Sequence, residues 1–139
     1  MTPPMVWDCS ISIAMAFEDE RNDYVRRVFH TVSVQGALAP AHWPMEMVNG
    51  LRMAERRKRI EPADSRKYLE LVSTFPIQID GSSETPQSML ALYESSETYK
   101  LTSYDAVYLR LAQKSGLPLA SKDGDLVAAA KKAGVKLYA

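Results

Sequence analysis

Three times along the 139-residue chain a helical pattern runs into a glycine, and a short apolar stretch follows at once. Residues 29–35 lead to Gly36 and then Ala37, Leu38 and Ala39. Residues 106–115 lead to Gly116 and then 117–120 (LPLA); residues 126–133 lead to Gly134 and then 135–138 (VKLY). A glycine just past a helix end accepts the left-handed backbone that closes the helix. The stretches that follow are short and mostly unalternated, and suit a sheet covered on both faces. Residues 5–7 (MVW) and 77–79 (IQI) add two more strand candidates. About five short strands separated by helices predict an α/β fold with a central, mainly parallel sheet flanked by helices.

Helix starts are marked too. Pro44, Pro62 and Pro86 stand where a first helical residue belongs, and Thr85 is a good cap before Pro86. Leu69 and Val72 mark the inner face of the helix after Pro62, as Met89, Leu92 and Tyr93 do after Pro86. No repeat, low-complexity tract or linker interrupts the pattern, so residues 1–139 are expected to form one domain. One cysteine, Cys9, excludes an internal disulfide and a Cys-based zinc site, and with His30 and His42 the only histidines, a His-rich metal centre is excluded as well. With no secretory signal and no apolar run near the ~20 residues that span a bilayer, the expected setting is cytoplasmic, with no membrane partner.

Four acids fall where this fold would gather them. Asp8 follows the first strand, and ligands of open parallel sheets bind beyond the carboxyl ends of the strands. The alternative is that Asp8 only caps the next helix, a task open to Ser10 as well. Glu46 lies in the helix that begins near Pro44; its neighbours four residues away are His42 and Gly50, so it lacks the usual basic partner of a surface glutamate. It is either a first-turn acid favoured by the helix dipole or a carboxylate that needs a cation. Asp105 closes a Thr102-x-x-Asp105 capping pattern, and Asp123 opens the last helix with Asp125 two residues on. Each has a structural explanation alone; together they suggest a shared acidic pocket. Oxygen donors without accompanying His or Cys select Mg²⁺ or Mn²⁺, which can activate water and steady a leaving oxygen in phosphoryl displacement. No covalent nucleophile competes: Cys9 has no evident histidine base and reads as a small buried residue.

The stretches 6–10 (VWDCS), 39–51 (APAHWPMEMVNGL), 101–112 (LTSYDAVYLRLA), 119–126 (LASKDGDL) and 133–137 (AGVKL) resemble, in order and spacing, the PIN domain family and within it the VapC-type toxin ribonucleases. The resemblance implies a metal-dependent endoribonuclease with Asp8, Glu46, Asp105 and Asp123 as its catalytic acids. Asp8 and Asp105 would hold the main Mg²⁺ or Mn²⁺, Glu46 would stand close by, and Asp123 would complete the pocket. Ser10 and Ser121 fall where the family often has a supporting hydroxyl, and Asp125 could compete with Asp123. The resemblance further implies an RNA substrate, a homodimer, and a small antitoxin whose tail covers the acidic pocket.

The formal net charge is zero, yet the charge is not evenly spread. Residues 52–59 carry a net +4 and residues 78–99 a net −4. Arg52, Arg56 and Arg57, at the end of the helix that carries Glu46, could contact RNA phosphates, or simply favour a helix C-terminus. Two other functions use the same elements. A phosphoacceptor signalling domain would use Asp80, after the strand at 77–79, with Lys122, but leaves Glu46 and Asp105 idle. A non-catalytic binding module would use the acids as a peptide-binding pocket.

Overall fold

The computed structural model describes residues 2–81 and 84–139. All three glycine stops are present: Gly36, Gly116 and Gly134 each take a positive φ at the C-terminus of a helix. Among the described residues four short strands follow from the pattern: β1 (Val6–Trp7), β2 (Ala37–Ala39), β3 (Ile77–Ile79) and β4 (Leu119–Ala120). They form one parallel sheet in the order β3-β2-β1-β4, with Val6 opposite both Leu38 and Leu119, and Ala37 opposite Ile77. Seven helices among the described residues connect and cover it: α1 (Cys9–Met15), α2 (Asp23–Gln35), α3 (Trp43–Arg56), α4 (Pro62–Val72), α5 (Met89–Tyr99), α6 (Ser103–Ser115) and α7 (Gly124–Ala133). Two 3-10 turns, Glu18–Glu20 and Pro86–Ser88, join them, the second capped by Thr85 as its sequence suggests.

The expected fifth strand at 135–138 shrinks to a single parallel bridge between Leu137 and Leu119. Leu119 donates its N–H to Lys136 O and receives that of Tyr138, both at 2.9 Å. Nothing extends the pairing, because β4 is two residues long and Pro118 before it has no N–H to donate. Pro118 instead gives its carbonyl to Val6 N at 2.9 Å, on the β1 side.

Packing follows the periodicity in most places. Val6, Trp7, Ile11, Val25, Val28, Val32, Leu109 and Leu126 are fully buried, and Trp7 stacks on Trp43 with ring centroids 5.6 Å apart. The α5 expectation needs correction. Met89 and Tyr93 are exposed and only Leu92 turns inward, since α5 packs chiefly on α6 and leaves its far side uncovered.

The connections decide where a ligand can sit. The chain builds outward from β1 to β2 to β3, then returns across the sheet to place β4 on the other side of β1. The reversal opens a crevice at the carboxyl ends of β1 and β4, the usual ligand position in an open α/β sheet.

Candidate active site

Asp8 stands at that crevice. Its N–H donates to Ala120 O at 3.1 Å, so the residue leaves β1 still paired to β4. Its side chain also caps α1, so the structural and functional readings of this residue coexist. Oδ1 accepts from Ser10 N at 3.1 Å and from Ser10 Oγ at 2.5 Å; Oδ2 accepts from Ser121 Oγ at 2.6 Å. The two serines are fixed in turn, Ser10 Oγ by Lys122 N and Ser121 Oγ by Asp123 N, each at 2.9 Å. Ser10 and Ser121 are therefore a hydroxyl cradle for Asp8. The carboxylate is only 3% exposed, and burial pushes its pKa up to about 7 against the pull of the two serines. Asp123 adds to the rise.

The other acids gather around it. Asp105 lies in the first turn of α6, where its N–H donates to Thr102 Oγ1 at 3.2 Å. Burial, then the charges of Asp123 and Glu46, hold its carboxyl above the usual range, with a smaller push from Asp125. Asp123 caps α7, accepting the N–H groups of Asp125 at 2.9 Å and Leu126 at 3.4 Å. Asp123 thus acts on both Asp8 and Asp105, and Asp125 is the more remote, exposed neighbour.

Glu46 lies in the first turn of α3, with no lysine or arginine paired to it among the described residues. It has two partners: Tyr108 donates its hydroxyl to Oε1 at 2.5 Å, and His42 Nε2 lies 3.2 Å from the same oxygen. The glutamate faces α6 rather than solvent, and α6 supplies the donor. Burial and Glu46 hold the Tyr108 phenol far above its ordinary range, so it stays a donor. Tyr108 was not evident from local sequence; its only hint is that it sits one helical turn after Asp105. Burial, Glu46 and Asp8 likewise raise the Cys9 thiol, which keeps it protonated and unsuited to nucleophilic attack.

No group of three or more His, Cys, Asp or Glu side chains among the described residues stands arranged to hold a metal ion. The donor set nevertheless fits a hard divalent cation. The acids are oxygen-only, and Asp8 and Asp105 are each pushed toward neutrality by burial first and by neighbouring carboxylates second. Mg²⁺ is commonly held by one or two carboxylates, with waters and substrate phosphates completing its octahedron. A closed protein cage is not required.

The basic cluster is divided. Arg52 pairs with Glu55 at 2.7 Å, and Arg59 with Asp19 at 3.1 Å and Glu20 at 2.9 Å. Arg56 and Arg57 are exposed and make no ion pair among the described residues. At 1.5 Å per residue they lie about 15 Å along α3 from Glu46. The phosphoacceptor arrangement fails on topology. Asp80 follows β3 and Lys122 follows β4, at opposite edges of the sheet and roughly 14 Å apart by strand spacing. Asp80 instead pairs with Lys114 at 3.1 Å and Lys122 with Glu20 at 3.5 Å. No helix among the described residues is long and apolar enough to cross a membrane.

Comparison with curated proteins finds no match. Among solved structures the chain is similar to the crystal structure of PAE2754 from Pyrobaculum aerophilum, with 25% identity and a TM-score of 0.67. That likeness covers 93% of this chain and 87% of the other. The model of the PIN domain matches residues 5–132, from the strand that delivers Asp8 to the last turn of α7. A parallel sheet with its acids at the reversal point thus has a family: the chain belongs to the PIN domain family.

Proposed function

We propose that this chain is a metal-dependent endoribonuclease and the toxin member of a toxin–antitoxin pair. PIN domains are typically nucleases that use divalent metal ions. The observation that carries the reading here is electrostatic: Asp8, Asp105, Asp123 and Glu46 come from four elements, and burial, with the charge of Asp123 on both and of Glu46 on Asp105, holds Asp8 and Asp105 above the usual carboxylate range. Beyond the helix caps that Asp8 and Asp123 supply, such an arrangement stabilises nothing in the chain by itself. A cation bound by Asp8 and Asp105, with Glu46 and Asp123 beside them, would relieve the repulsion and supply Lewis acidity toward a phosphate oxygen and water.

The protein's part is to hold the acids still. Ser10 and Ser121 fix both oxygens of Asp8, and Tyr108 orients Glu46 from α6. Thr102 and the α7 N-terminus fix the backbone under Asp105 and the side chain of Asp123. The products would carry 5′-phosphate and 3′-hydroxyl ends. Purified chain incubated with mixed RNAs in Mg²⁺ or Mn²⁺ should cut them, and Asp8→Asn should not. Loss of metal binding in calorimetry with Asp8→Asn would further separate the enzyme from a peptide-binding module; cation-independent or absent cleavage would sink the proposal.

The toxin assignment rests on the order and spacing of the VapC-like motifs. Induced expression of the wild type, but not of Asp8→Asn, should arrest growth and create discrete new RNA 5′ ends. A small antitoxin with a basic tail should co-purify and suppress both effects. The homodimer is supported by the bare outer face of α5, where Met89, Leu90 and Tyr93 are each more than 60% exposed. Leu90→Glu with Tyr93→Glu should lower the sedimentation mass to that of a monomer.

A further inference from the structure

Beside the acids, α3, α5 and α6 enclose an open cavity of about 700 Å³ that no catalytic role accounts for. The volume is in the range of sites that hold a single small ligand. Its walls mix apolar groups, among them Met45, Leu92 and Val107, with the polar side chains of His42, Tyr104 and Arg110. The cations are already answered: Arg110 Nε lies 3.3 Å from Glu84 Oε2, and Lys114 Nζ lies 3.1 Å from Asp80 Oδ2. A phosphate would meet as much negative as positive charge here. An uncharged, flat group with donors and acceptors on its edge suits the walls better.

The aromatic residues connect this cavity to the acid cluster. Tyr104 immediately precedes Asp105, and its ring is left 63% exposed at the cavity wall. The His42 ring lies 5.9 Å from it, tilted by 50°, while His42 Nε2 is 3.2 Å from Glu46 Oε1. The imidazole that lies beside Glu46 on one side therefore meets, on the other, an exposed aromatic face. Exposed aromatics beside a nucleic-acid path serve as stacking platforms for unpaired bases.

We propose that this cavity seats one unpaired nucleobase of the RNA strand, stacked on Tyr104, next to the phosphate presented to the acids. The inference rests on the nuclease reading above and adds to it a base-binding subsite and a requirement for single-stranded substrate at that nucleotide. Arg110, Gln113 and Ser88 line the cavity and would meet the edge of the base.

The test uses the full chain in EDTA, which prevents cleavage, with fluorescein-labelled hexaribonucleotides A6, C6 and U6 read by anisotropy at one salt concentration. Tyr104→Ala should weaken the tightest of the three about tenfold, the scale of one lost stacking contact. Tyr104→Phe, which keeps the ring, should stay within about twofold. Because the ring is mostly exposed, both variants should melt as the wild type does. Equal affinity of wild type and Tyr104→Ala for all three RNAs would overturn the subsite and leave the cavity to a peptide. Failure of the wild type to bind any of them would overturn it too. Repeating the comparison in Mg²⁺ separates the two proposals. Affinity that depends on Tyr104 in a chain that cuts no RNA refutes hydrolysis alone. Unchanged cleavage rates and positions in Tyr104→Ala refute the subsite alone.

Discussion

Asp8 is held where its own charge is disfavoured, and that has a measurable consequence for stability. The free carboxyl titrates near 3.8, while burial moves the folded one to about 7. Between those values the folded chain binds more protons than the unfolded chain, so its stability falls as pH rises and levels off above about 7. The shift corresponds to at most about 4 kcal/mol. Asp8→Asn removes it. In EDTA, the melting temperature of Asp8→Asn relative to wild type should climb from pH 4 to pH 7 and then stay constant; a flat difference would show that the site does not oppose the charge. Mg²⁺ narrows the gap at pH 7.5: it should stabilise the wild type by about 2.7 kcal/mol at one hundred times its Kd and leave the Asn variant unmoved. Tyr108 makes a second case. Tyr108→Phe removes the donor to Glu46 without opening a cavity, so stability should change by about 1 kcal/mol. Cleavage should fall by about tenfold while RNA affinity in EDTA is kept, which a purely structural tyrosine would not produce.

At the scale of elements, the three helix-ending glycines look alike in sequence and differ in consequence. A Cβ at Gly36 would stand 2.2 Å from Pro76 O, with φ at 85° and ψ at −174°, a region essentially reserved for glycine. Around Gly116 and Gly134 there is open space and an ordinary left-handed cap. Gly36→Ala should therefore destabilise by roughly 3 kcal/mol or more, and Gly116→Ala by about 1–2 kcal/mol, read from urea melts. Only the former should displace β2 from β3. The sequence carries the glycine but not its neighbour forty residues away. The same distinction governs what was legible elsewhere. β2 and β3 fall at 37–39 and 77–79 as the apolar runs indicate, because those signals are local. The fifth strand fails because its partner is too short, and α5 turns Met89 and Tyr93 outward because only α6 covers it. In the site, Asp8 and Asp123 are readable from a strand end and a helix start, whereas Ser10 and Ser121 follow only from the family resemblance. The Tyr108–Glu46 contact joins residues 62 apart in sequence, and only the packing of α3 beside α6 creates it.

The whole molecule turns its zero net charge into separate regions. Its acids lie at the carboxyl ends of β1 and β4, a charge-paired cavity opens between α3, α5 and α6, and unpaired cations stand at the far end of α3. A polyanion reaching the acids gains nothing from their charge, so its attraction must come from elsewhere on the surface. Arg56 and Arg57 are the exposed candidates, whereas Arg59 is tied to Asp19 and Glu20 and lies 4.2 Å over the Phe17 ring. If both arginines meet phosphates, each contributes about 0.7 to the slope of log affinity against log salt for single-stranded RNA. The double variant Arg56→Ala/Arg57→Ala should then lower that slope by about 1.4 and weaken A6, C6 and U6 alike. Tyr104→Ala, by contrast, should leave the slope as it is and change only the affinity, because stacking releases no counterions. An Arg56/Arg57 double variant with an unchanged slope would confine those arginines to the helix terminus they favour. The RNA would then owe its approach to other cations, and the even division of charge in the chain would have no bearing on the path of the strand.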